Sequence, residues 1–420
     1  MRHFDYKNRA LFAEGVALEK IADEVGTPCF VYARATIERH FRVYDEAFGD
    51  YPHLVCYSVK ANSTGGVLSL LANMGSGADI VSGGELVRAM KAGIPPERIV
   101  FSGVGKTKTE MAEALDAGIL AFNIESEAEL LALAAVARSK NTSAPVALRV
   151  NPDVDPQTHP YIATGMAKSK FGVPIDEADR IANHIAATEG LRLVGIDCHI
   201  GSQLTSLDPL LEALDSVLTL TDRLKAVGHN IEMIDLGGGL GIPYKGEAPP
   251  HPREFGAAVV ERMKGRSEKI VLEPGRVIVG NAGLLLTRVL YRKKTPKKQF
   301  VIVDAGMNDL IRPSLYQAYH DIWPVLQETK DEEVVDIVGP ICESTDVFAK
   351  ERTLPHLPEE SLIAVMSAGA YGFTMASTYN SRPLCAEVLV SGDKYHVIRK
   401  RGDYASLTMG EVIPDWENET

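Results

Sequence analysis

The stretch LVCYSVK (54–60) is an apolar, β-branched run that ends on a lysine and is followed by the turn and cap residues ANST. This pattern predicts a β-strand that finishes at Lys60, just before a helix begins. Similar runs recur along the chain, and they are GADIVS (77–82), RIVFSG (98–103), LAFNIE (120–125), PVALRVN (145–151), RLVGIDCHI (192–200), IEMIDLGGG (231–239) and KIVLEPG (269–275). Because amphipathic helical patterns lie between them, these eight runs predict a parallel sheet. A closed (β/α)8 barrel is favoured, and an open doubly wound sheet is the alternative.

The rhythm changes after residue 276, where strand-like runs follow one another with hairpin-type spacers. They are GLLLTRVLYRKK (283–294), KQFVIVDAG (298–306), DEEVVDIVGPI (331–341), LIAVMSAGAYG (362–372) and CAEVLVSGDKYHVIRKR (385–401). This pattern predicts a second, mostly antiparallel β domain. We expect three segments: an N-terminal strand segment (1–35) that joins the β domain through TPCFVYAR (27–34), a barrel (36–276) and the β domain (277–420). Surface loops are predicted at TPKKQ (295–299) and GEAPPHPREFG (246–256).

The composition is that of a globular chain with 420 residues, 45% hydrophobic and 24% charged. A net charge of −12 argues against a nucleic-acid partner, whose phosphates need a basic surface. No apolar run is long enough to span a membrane, and MRHFDYKNRA (1–10) lacks the apolar core of a signal peptide. The five cysteines are far apart and never in CxxC, so we expect neither a zinc site nor a disulfide framework, and a cytoplasmic location.

Polar and reactive residues stand at the ends of the predicted barrel strands. They are Lys60, Asp79, Arg149, His199, the glycines 237–239, Glu273 and Arg276. Any one of them is explained as a polar residue that leaves a sheet. In a (β/α)8 barrel, however, the chemistry lies at the C-terminal ends of the strands, so together these residues predict a functional mouth.

Three motifs give this mouth a specific chemistry. The glycines of DLGGGLGIPY (235–244) can cradle a phosphate with successive N–H groups, although a tight turn explains them equally well. CHIGSQ (198–203) supplies an imidazole that can lie over an aromatic ring, and Ser202 can bond a phosphate. LEPGR (272–276) supplies a carboxylate and a guanidinium, with a salt-bridged barrel rim as the alternative. An amine, an imidazole, a phosphate cradle and a carboxylate are what pyridoxal phosphate needs, and no metal-binding motif competes.

Several motifs closely resemble the diaminopimelate decarboxylase family, which belongs to the fold-type III group of pyridoxal phosphate enzymes. The motifs are YSVKAN (57–62), GADIVSGGEL (77–86), SKFG (169–172), CHIGSQ, DLGGGLG (235–241), EPGR (273–276), VDAGMNDLIRPSLYQAYH (303–320), GPICESTD (339–346) and GAYGFTMASTYNSRPLCAEVLV (369–390). The resemblance covers nearly the whole chain in the right order. It implies an alanine racemase-like fold, with a barrel and a β domain.

The resemblance implies roles for the residues of the mouth. Lys60 resembles the lysine that carries the cofactor, and Glu273 the partner of the pyridine nitrogen, where alanine racemases typically have an arginine. His199 resembles the histidine that stacks on the ring, and Asp79 and Arg149 support the ring and its neighbours. The implied contacts on the phosphate side are Ser202, Gly238, Gly239, Gly275, Arg276 and Tyr371.

The resemblance also implies a substrate, meso-2,6-diaminopimelate, and a homodimer with shared active sites. Cys342 would return a proton to the α-carbon, and Glu343 would hold the distal ammonium group of the substrate. The distal carboxylate would be held by Arg276, Arg312 and Tyr316, and Tyr371 would also contact the substrate. Ornithine has no distal carboxylate, so paired arginines would be of no use there. The implied product is L-lysine, and the implied role is the last step of lysine biosynthesis.

Two other functions stay open at this point. One is the decarboxylation of another basic amino acid, such as ornithine, arginine or a carboxylated polyamine. The other is a non-catalytic pyridoxal phosphate carrier or regulator. A carrier is usually a single barrel, and a catalytically silent relative should have lost Lys60 or Cys342, whereas both are present.

Overall fold

The computed structural model describes residues 2–155, 169–327 and 331–416, and these form two compact units. Within the described residues, the barrel unit comprises 2–3, 33–283 and 369–374, and the β unit comprises 4–32, 284–368 and 375–416. The barrel unit thus takes in the segment of Tyr371, which the sequence placed in the β domain. The limits of the three segments expected from the sequence stay a prediction.

Eight parallel strands form a closed barrel, as predicted. In chain order, the first to the eighth barrel strand are His53–Ser58, Gly77–Ile80, Ile99–Phe101, Ala121–Ile124, Ala144–Asn151, Leu191–Asp197, Met233–Asp235 and Lys269–Leu272. Each strand pairs with the next, and the eighth pairs with the first, which closes the sheet. The short strand Val173–Pro174 adds to the end of the fifth. The open-sheet alternative is therefore wrong.

Helices connect the barrel strands. They are Gly65–Asn73, Gly83–Lys91, Lys108–Ala117, Glu127–Ser139, Ala178–Ala187, Asp208–Ala226, Pro252–Arg262 and Arg276–Val279. The helix that comes directly after the eighth strand, Arg276–Val279, has four residues. Helix Arg34–Asp45, which precedes the first strand, packs against Gly65–Asn73 and Pro252–Arg262 and so covers the place of a full eighth helix.

The prediction of a surface loop at GEAPPHPREFG (246–256) is wrong for the second half of that segment, because a helix begins at Pro252. His251 accepts a bond from the Arg253 N–H, and Glu254 bonds back to the His251 N–H. Proline at the first helical position fixes φ without losing a needed donor. The two capping bonds and the proline start a helix in a segment whose proline content had led to the prediction of a loop.

The inside of the barrel changes from apolar to polar along the strands. An apolar cluster fills one level, and it consists of Leu54, Cys56, Val100, Ala121, Ala147, Val194, Met233 and Val271. Inward positions repeat every second residue of a strand. Two residues further on, the inward positions are polar and buried: Ser58, Ser102, Asn123, Arg149, Asp235 and Glu273. The apolar level supports a polar level at the C-terminal ends of the strands.

The β unit is mostly antiparallel, as predicted. Its strands are Phe4–Lys7, Ala10–Ala13, Val16–Ala17, Cys29–Ala33, Gly283–Lys294, Gln299–Val303, Ile322–Pro324, Glu332–Val338, Val347–Pro355, Leu362–Val365, Ala386–Ser391 and Lys394–Arg399. The first three form a small sheet, and Cys29–Ala33 lies in the large sheet between Gly283–Lys294 and Ala386–Ser391. The unit also has the helices Leu18–Val25, Arg312–Tyr316 and Tyr404–Leu407.

Among the described helices, none combines the length and the apolar character that crossing a membrane would require.

Candidate active site

Lys60 lies on a single helical turn, Val59–Ala61, directly after the first barrel strand. Its Nζ pairs with Oδ2 of Asp79, which also accepts a bond from Ser58 Oγ. The register of the first two strands sets Ser58 beside Asp79, so the sheet itself brings the carboxylate to the lysine. Burial lowers the pKa of Lys60, but the negative charges of Asp79 and Glu273 outweigh burial and raise the pKa above its usual value. The ammonium group is therefore held charged by its neighbours.

Three buried carboxyl groups gather on the other side of the mouth, at the ends of the sixth, seventh and eighth strands. Oxygen atoms of Asp197, Asp235 and Glu273 lie within 4.8 Å of one another. Burial and then the charges of Asp235 and Asp79 raise the pKa of Glu273 well above its usual value. Burial raises the pKa of Asp235 to about 6, against the bond from the Gly237 N–H. The cluster thus keeps protons that exposed carboxyl groups lose, and it favours a positively charged ligand group.

Two neutral side chains orient Glu273. Its Oε1 accepts bonds from Ser102 Oγ at 3.1 Å and from Asn123 Nδ2 at 3.3 Å. Asn123 Nδ2 also lies 3.4 Å from Asp235 Oδ2. Both residues occupy inward positions of the polar level and were not predicted as site residues. Their signal in the sequence is the spacing of two from the apolar residues Val100 and Ala121.

His199 and the glycine run pack closely together. His199 Nδ1 accepts a bond from the Gly238 N–H at 3.2 Å. Burial and the positive charges of Arg149 and Lys60 lower the pKa of His199 well below its usual value, so its ring is neutral. A Cβ at Gly237, where φ is +61°, would lie 2.7 Å from His199 Nδ1, and a Cβ at Gly238 would lie 2.3 Å from the Glu273 carbonyl oxygen. Close packing thus requires these glycines, and the phosphate cradle stays a prediction.

Arg149 is held by two carboxylates. Its Nη1 lies 3.0 Å from Glu125 Oε1, and its Nε lies 3.6 Å from Asp197 Oδ2. Glu125 also accepts bonds from the backbone N–H groups of Gly103 and Gly172. Glu125 therefore links the loops after the third and fourth strands to the fifth strand, a role that the sequence did not reveal.

A buried lysine ties two of these loops together, and we call this group the Lys106 clamp. Lys106 Nζ donates to Glu129 Oε1 at 2.6 Å and to the carbonyl oxygens of Gly103 and Asn123, each at 2.8 Å. Glu129 Oε2 in turn accepts a bond from the Glu125 N–H. The clamp fixes the main chain that carries Asn123, and hence the side chain that orients Glu273.

Arg276 contacts several residues on the remaining side of the mouth. Its Nη2 donates to Ser202 Oγ at 3.0 Å, and its Nη1 donates to the hydroxyl of Tyr244 at 2.9 Å. The guanidinium carbon lies 4.9 Å from the ring centroid of Tyr371. The Tyr371 N–H donates to the carbonyl oxygen of Ala61, next to Lys60. A Cβ at Gly275 would lie 2.9 Å from the Ala61 Cβ, so the close approach of these two turns requires glycine.

The barrel unit therefore brings together all the residues that were predicted to bind the cofactor. They are Lys60, Asp79, Arg149, His199, Ser202, Gly238, Gly239, Glu273, Gly275, Arg276 and Tyr371. A charged amine, a proton-rich carboxyl cluster and a neutral imidazole fit the aldehyde, the nitrogen and the ring of pyridoxal phosphate. Asp79 Oδ1 is buried and has no hydrogen-bond partner among the described residues, which adds an acceptor to the mouth.

The other predicted site residues lie in the β unit. Cys342 and Glu343 are exposed. The Cys342 N–H donates to Asn380 Oδ1, and Glu343 Oε1 accepts a bond from the hydroxyl of Tyr379.

Arg312 begins the helix Arg312–Tyr316, and Tyr316 ends it. Arg312 is only 5% exposed, and its Nη1 lies 3.0 Å from His320 Nε2. Tyr316 is partly exposed. The contact with His320 was not predicted, although His320 closes the motif that contains Arg312.

The chain matches known proteins over its whole length. Residues 34–280 match the family described as pyridoxal-dependent decarboxylase, pyridoxal binding domain. Diaminopimelate decarboxylase from Pseudomonas aeruginosa is 53% identical and is covered over 98% of this chain and 99% of that protein. The same enzyme from Vibrio cholerae is 50% identical, over 99% of this chain and 100% of that protein.

A solved structure agrees with these relatives. The crystal structure of diaminopimelate decarboxylase from Helicobacter pylori complexed with L-lysine has a TM-score of 0.90 to this chain. The two are 43% identical, and the match covers 93% of this chain and 98% of that chain. Both the barrel and the β unit are thus shared with enzymes of one kind. The chain belongs to the diaminopimelate decarboxylase family of pyridoxal phosphate-dependent enzymes.

Proposed function

We propose that this chain decarboxylates meso-2,6-diaminopimelate to L-lysine and carbon dioxide, with pyridoxal phosphate as its cofactor. The observation that carries the proposal is the placement of Lys60 and Glu273 at the same end of one barrel, with Glu273 in a buried, proton-holding cluster. The relatives that are about half identical over the full length carry the same activity in their names.

The residues of the barrel unit would hold the cofactor. When it is bound, its protonated ring accepts the electron pair that remains after carbon dioxide leaves. Lys60 anchors the cofactor covalently, and Glu273, supported by Asp235, holds the proton at the ring nitrogen. The neutral ring of His199 can stack on the cofactor without adding a positive charge to it. The phosphate-side residues are Ser202, Gly238, Gly239, Gly275, Arg276 and Tyr371, while Asp79 and Arg149 fix the charges around the ring.

The residues of the β unit would hold the far end of the substrate and move one proton. Arg312 and Tyr316, with Arg276, bind the distal carboxylate, since a planar guanidinium presents paired donors to a carboxylate. Glu343 binds the distal ammonium group. The Cys342 thiol gives its proton to the carbon that has lost carbon dioxide, which makes the product L-lysine.

The active unit that we propose is a homodimer with shared sites, in which Cys342 and Glu343 complete the site of the partner. The exposure of both residues in a single chain supports this arrangement. The acidic net charge of −12 supports the absence of a nucleic-acid partner, and the unpaired cysteines support a cytoplasmic location. We also retain the predicted domain limits of 1–35, 36–276 and 277–420 as part of the proposal.

A comparison of substrates tests the proposal. Purified protein with added pyridoxal phosphate is assayed for carbon dioxide release from meso-diaminopimelate and, separately, from L-ornithine. We expect kcat/KM to be at least about a hundredfold higher for meso-diaminopimelate, because ornithine leaves the buried donors of the distal site unpaired. Equal or higher turnover of ornithine would transfer the assignment to another basic amino acid. Binding of the cofactor without turnover of either substrate would favour a non-catalytic regulator.

A further inference from the structure

A buried histidine, His320, holds the arginine that is proposed to bind the distal carboxylate of the substrate. His320 has no exposed surface, and its Nε2 lies 3.0 Å from Arg312 Nη1. Every nitrogen of a guanidinium is a donor and none is an acceptor. His320 Nε2 must therefore accept a hydrogen bond from Arg312 Nη1, so the hydrogen of this neutral imidazole is on Nδ1.

The other side of the imidazole fits that tautomer. His320 Nδ1 lies 2.8 Å from the carbonyl oxygen of Met366, which can only accept. The Met366 N–H donates to the carbonyl oxygen of Asp321, so the chain on both sides of this contact is tied by a backbone bond. The carbonyl oxygen of His320 itself accepts a bond from Arg352. The acceptor that faces Arg312 is thus fixed by three separate contacts.

A neutral acceptor has a consequence for the charge of Arg312. A fixed partner at Nη1 sets the plane of the guanidinium, and the plane decides which donors a carboxylate meets. A carboxylate in the place of His320 would also orient Arg312, but it would cancel the charge that attracts an anion. An imidazole that accepts through Nε2 orients the group without itself adding a negative charge beside it.

We infer that His320 is a positioning residue for substrate recognition: it orients Arg312 toward the distal carboxylate and does not touch the substrate itself. This inference rests on the proposed function, since it assumes that Arg312 meets that carboxylate. It adds a specificity role to a residue outside the predicted site.

Two substitutions separate this role from a structural one. His320→Asn keeps a donor near the position of Nδ1 for Met366 but removes the acceptor for Arg312. His320→Gln reaches the position of Nε2 and offers Arg312 an acceptor again, while it loses the bond to Met366. A positioning role therefore predicts that Gln restores function better than Asn, whereas a role in holding Met366 predicts the opposite.

Two competing ligands provide the measurement. L-lysine carries the distal carboxylate, and cadaverine is the same molecule without it. For His320→Asn we expect inhibition by L-lysine to weaken by about tenfold, because one charge-assisted bond has lost its orientation. Inhibition by cadaverine should change by less than about twofold, and the visible absorption of the bound cofactor should not change. His320→Gln should stay within about threefold of the wild type for L-lysine.

The ratio of the two inhibition constants does not depend on how much of the variant is folded, because both constants report on active molecules. Equal losses for L-lysine and cadaverine, a better result for Asn than for Gln, or failure of both variants to fold would overturn the inference in favour of a structural role. Inactivity of the wild-type protein on meso-diaminopimelate would instead overturn the proposed function, so the two failures are distinguishable.

Discussion

The barrel mouth and the loop that carries Cys342 differ in the burial of their polar side chains. In the mouth, charged groups are buried and interlocked: Asp79 has no exposed surface, and Glu273 and Arg149 are each 6% exposed. In the loop 341–346, which we call the Cys342 loop, the side chains from Cys342 to Thr345 are exposed. The main chain of this loop is nevertheless fixed: Asp346 accepts bonds from the N–H groups of Ile341 and Met307, and the Cys342 N–H donates to Asn380 Oδ1.

This difference in burial shows that the charged groups of the mouth are already oriented by partners within one chain, whereas the side chains from Cys342 to Thr345 face solvent. Buried charges are costly unless they are paired, and in the mouth Lys60, Arg149 and Glu273 each have partners in place. The Cys342 loop carries no such cost, since water solvates its thiol and carboxylate. Its hydrogen bonds set its shape, while the side chains of Cys342 and Glu343 stay exposed. We therefore expect substitutions in the mouth to affect folding and function together, and substitutions in the loop to affect function alone.

The largest effect is expected for Lys60→Ala. Without the amine the cofactor has no covalent anchor, so decarboxylation should fall by at least about a thousandfold and the visible absorption of the bound cofactor should be lost. Lys60→Arg is the matched control, because it keeps a positive charge beside Asp79 but cannot carry the cofactor. We expect Lys60→Arg to be equally inactive but more stable than Lys60→Ala. Substantial activity in either variant would remove Lys60 from its role.

The next effect concerns stability and the Lys106 clamp. The Lys106 side chain has no exposed surface and that of Glu129 is 7% exposed, so Lys106→Met leaves a buried carboxylate without its cation. We expect a loss of about 3–5 kcal/mol in the free energy of unfolding, measured with urea. Cys342→Ala should change it by less than about 0.5 kcal/mol. Similar losses for the two variants would erase the contrast between the mouth and the loop.

Glu273→Gln should reduce the rate with a smaller effect on folding. An amide cannot hold a proton at the ring nitrogen, so we expect kcat to fall by at least about a hundredfold while the cofactor still binds. Glu261→Gln, on the exposed face of helix Pro252–Arg262, is the control and should be fully active. A fall of less than about tenfold, or about 1.4 kcal/mol in the barrier, would mean that another group protonates the ring.

The smallest effect is a dependence of stability on pH in the cofactor-free protein. Folding raises the pKa of Asp235 from 3.8 to about 6, chiefly by burial. The folded form therefore binds the proton more tightly, and the stability that this gives is lost as the pH rises through about 6. Relative to the wild type, Asp235→Asn should gain about 1–3 kcal/mol in the free energy of unfolding as the pH rises from 3.8 to about 6.

A control of opposite sign is available on the surface. The bond from Arg266 lowers the pKa of Asp222, so its contribution to stability appears as the pH rises. Asp222→Asn should therefore lose stability relative to the wild type as the pH rises toward 3.8, which lies below the range in which Asp235→Asn gains it. The same direction of change in both variants would contradict the burial of a proton at Asp235.

Much of the fold was predictable because the period of the barrel strands is visible in their apolar residues. Element ends were less so: the run 231–239 was predicted as a strand, but the strand is Met233–Asp235, since glycines after it leave the sheet. The strand Val347–Pro355 was missed, because the charged residues Lys350, Glu351 and Arg352 interrupt its apolar pattern.

Site residues were predictable where a reactive side chain directly follows a barrel strand, as at Lys60 and Glu273. Asp197 and Asp235 were missed although each ends a buried strand. Asp235 follows the inward spacing of two from Met233, whereas a register shift at 193–195 breaks that spacing before Asp197. Lys106 and Glu129 had no comparable signal, because GVGKTKTE (103–110) has the composition of a solvated helix start. Their burial follows from loops that meet only in the folded barrel, as does the contact between Arg312 and His320.

We propose that each active site is formed by the mouth of one subunit and the Cys342 loop of another. Lys60→Ala and Cys342→Ala should each be inactive alone. When they are mixed in equal amounts under conditions that exchange subunits, a mixed dimer would hold one doubly damaged site and one intact site. Random pairing in a closed, symmetric dimer then restores roughly a quarter of the wild-type activity.

The decisive measurement is the rate of carbon dioxide release from meso-diaminopimelate by that mixture, with subunit exchange followed separately by a mass-tagged chain. A site shared between two subunits predicts recovery to roughly a quarter of the wild-type rate. If both residues served the same site from one chain, every site in the mixture would carry a lesion. A mixture that is as inactive as its two parents after complete exchange would contradict the account.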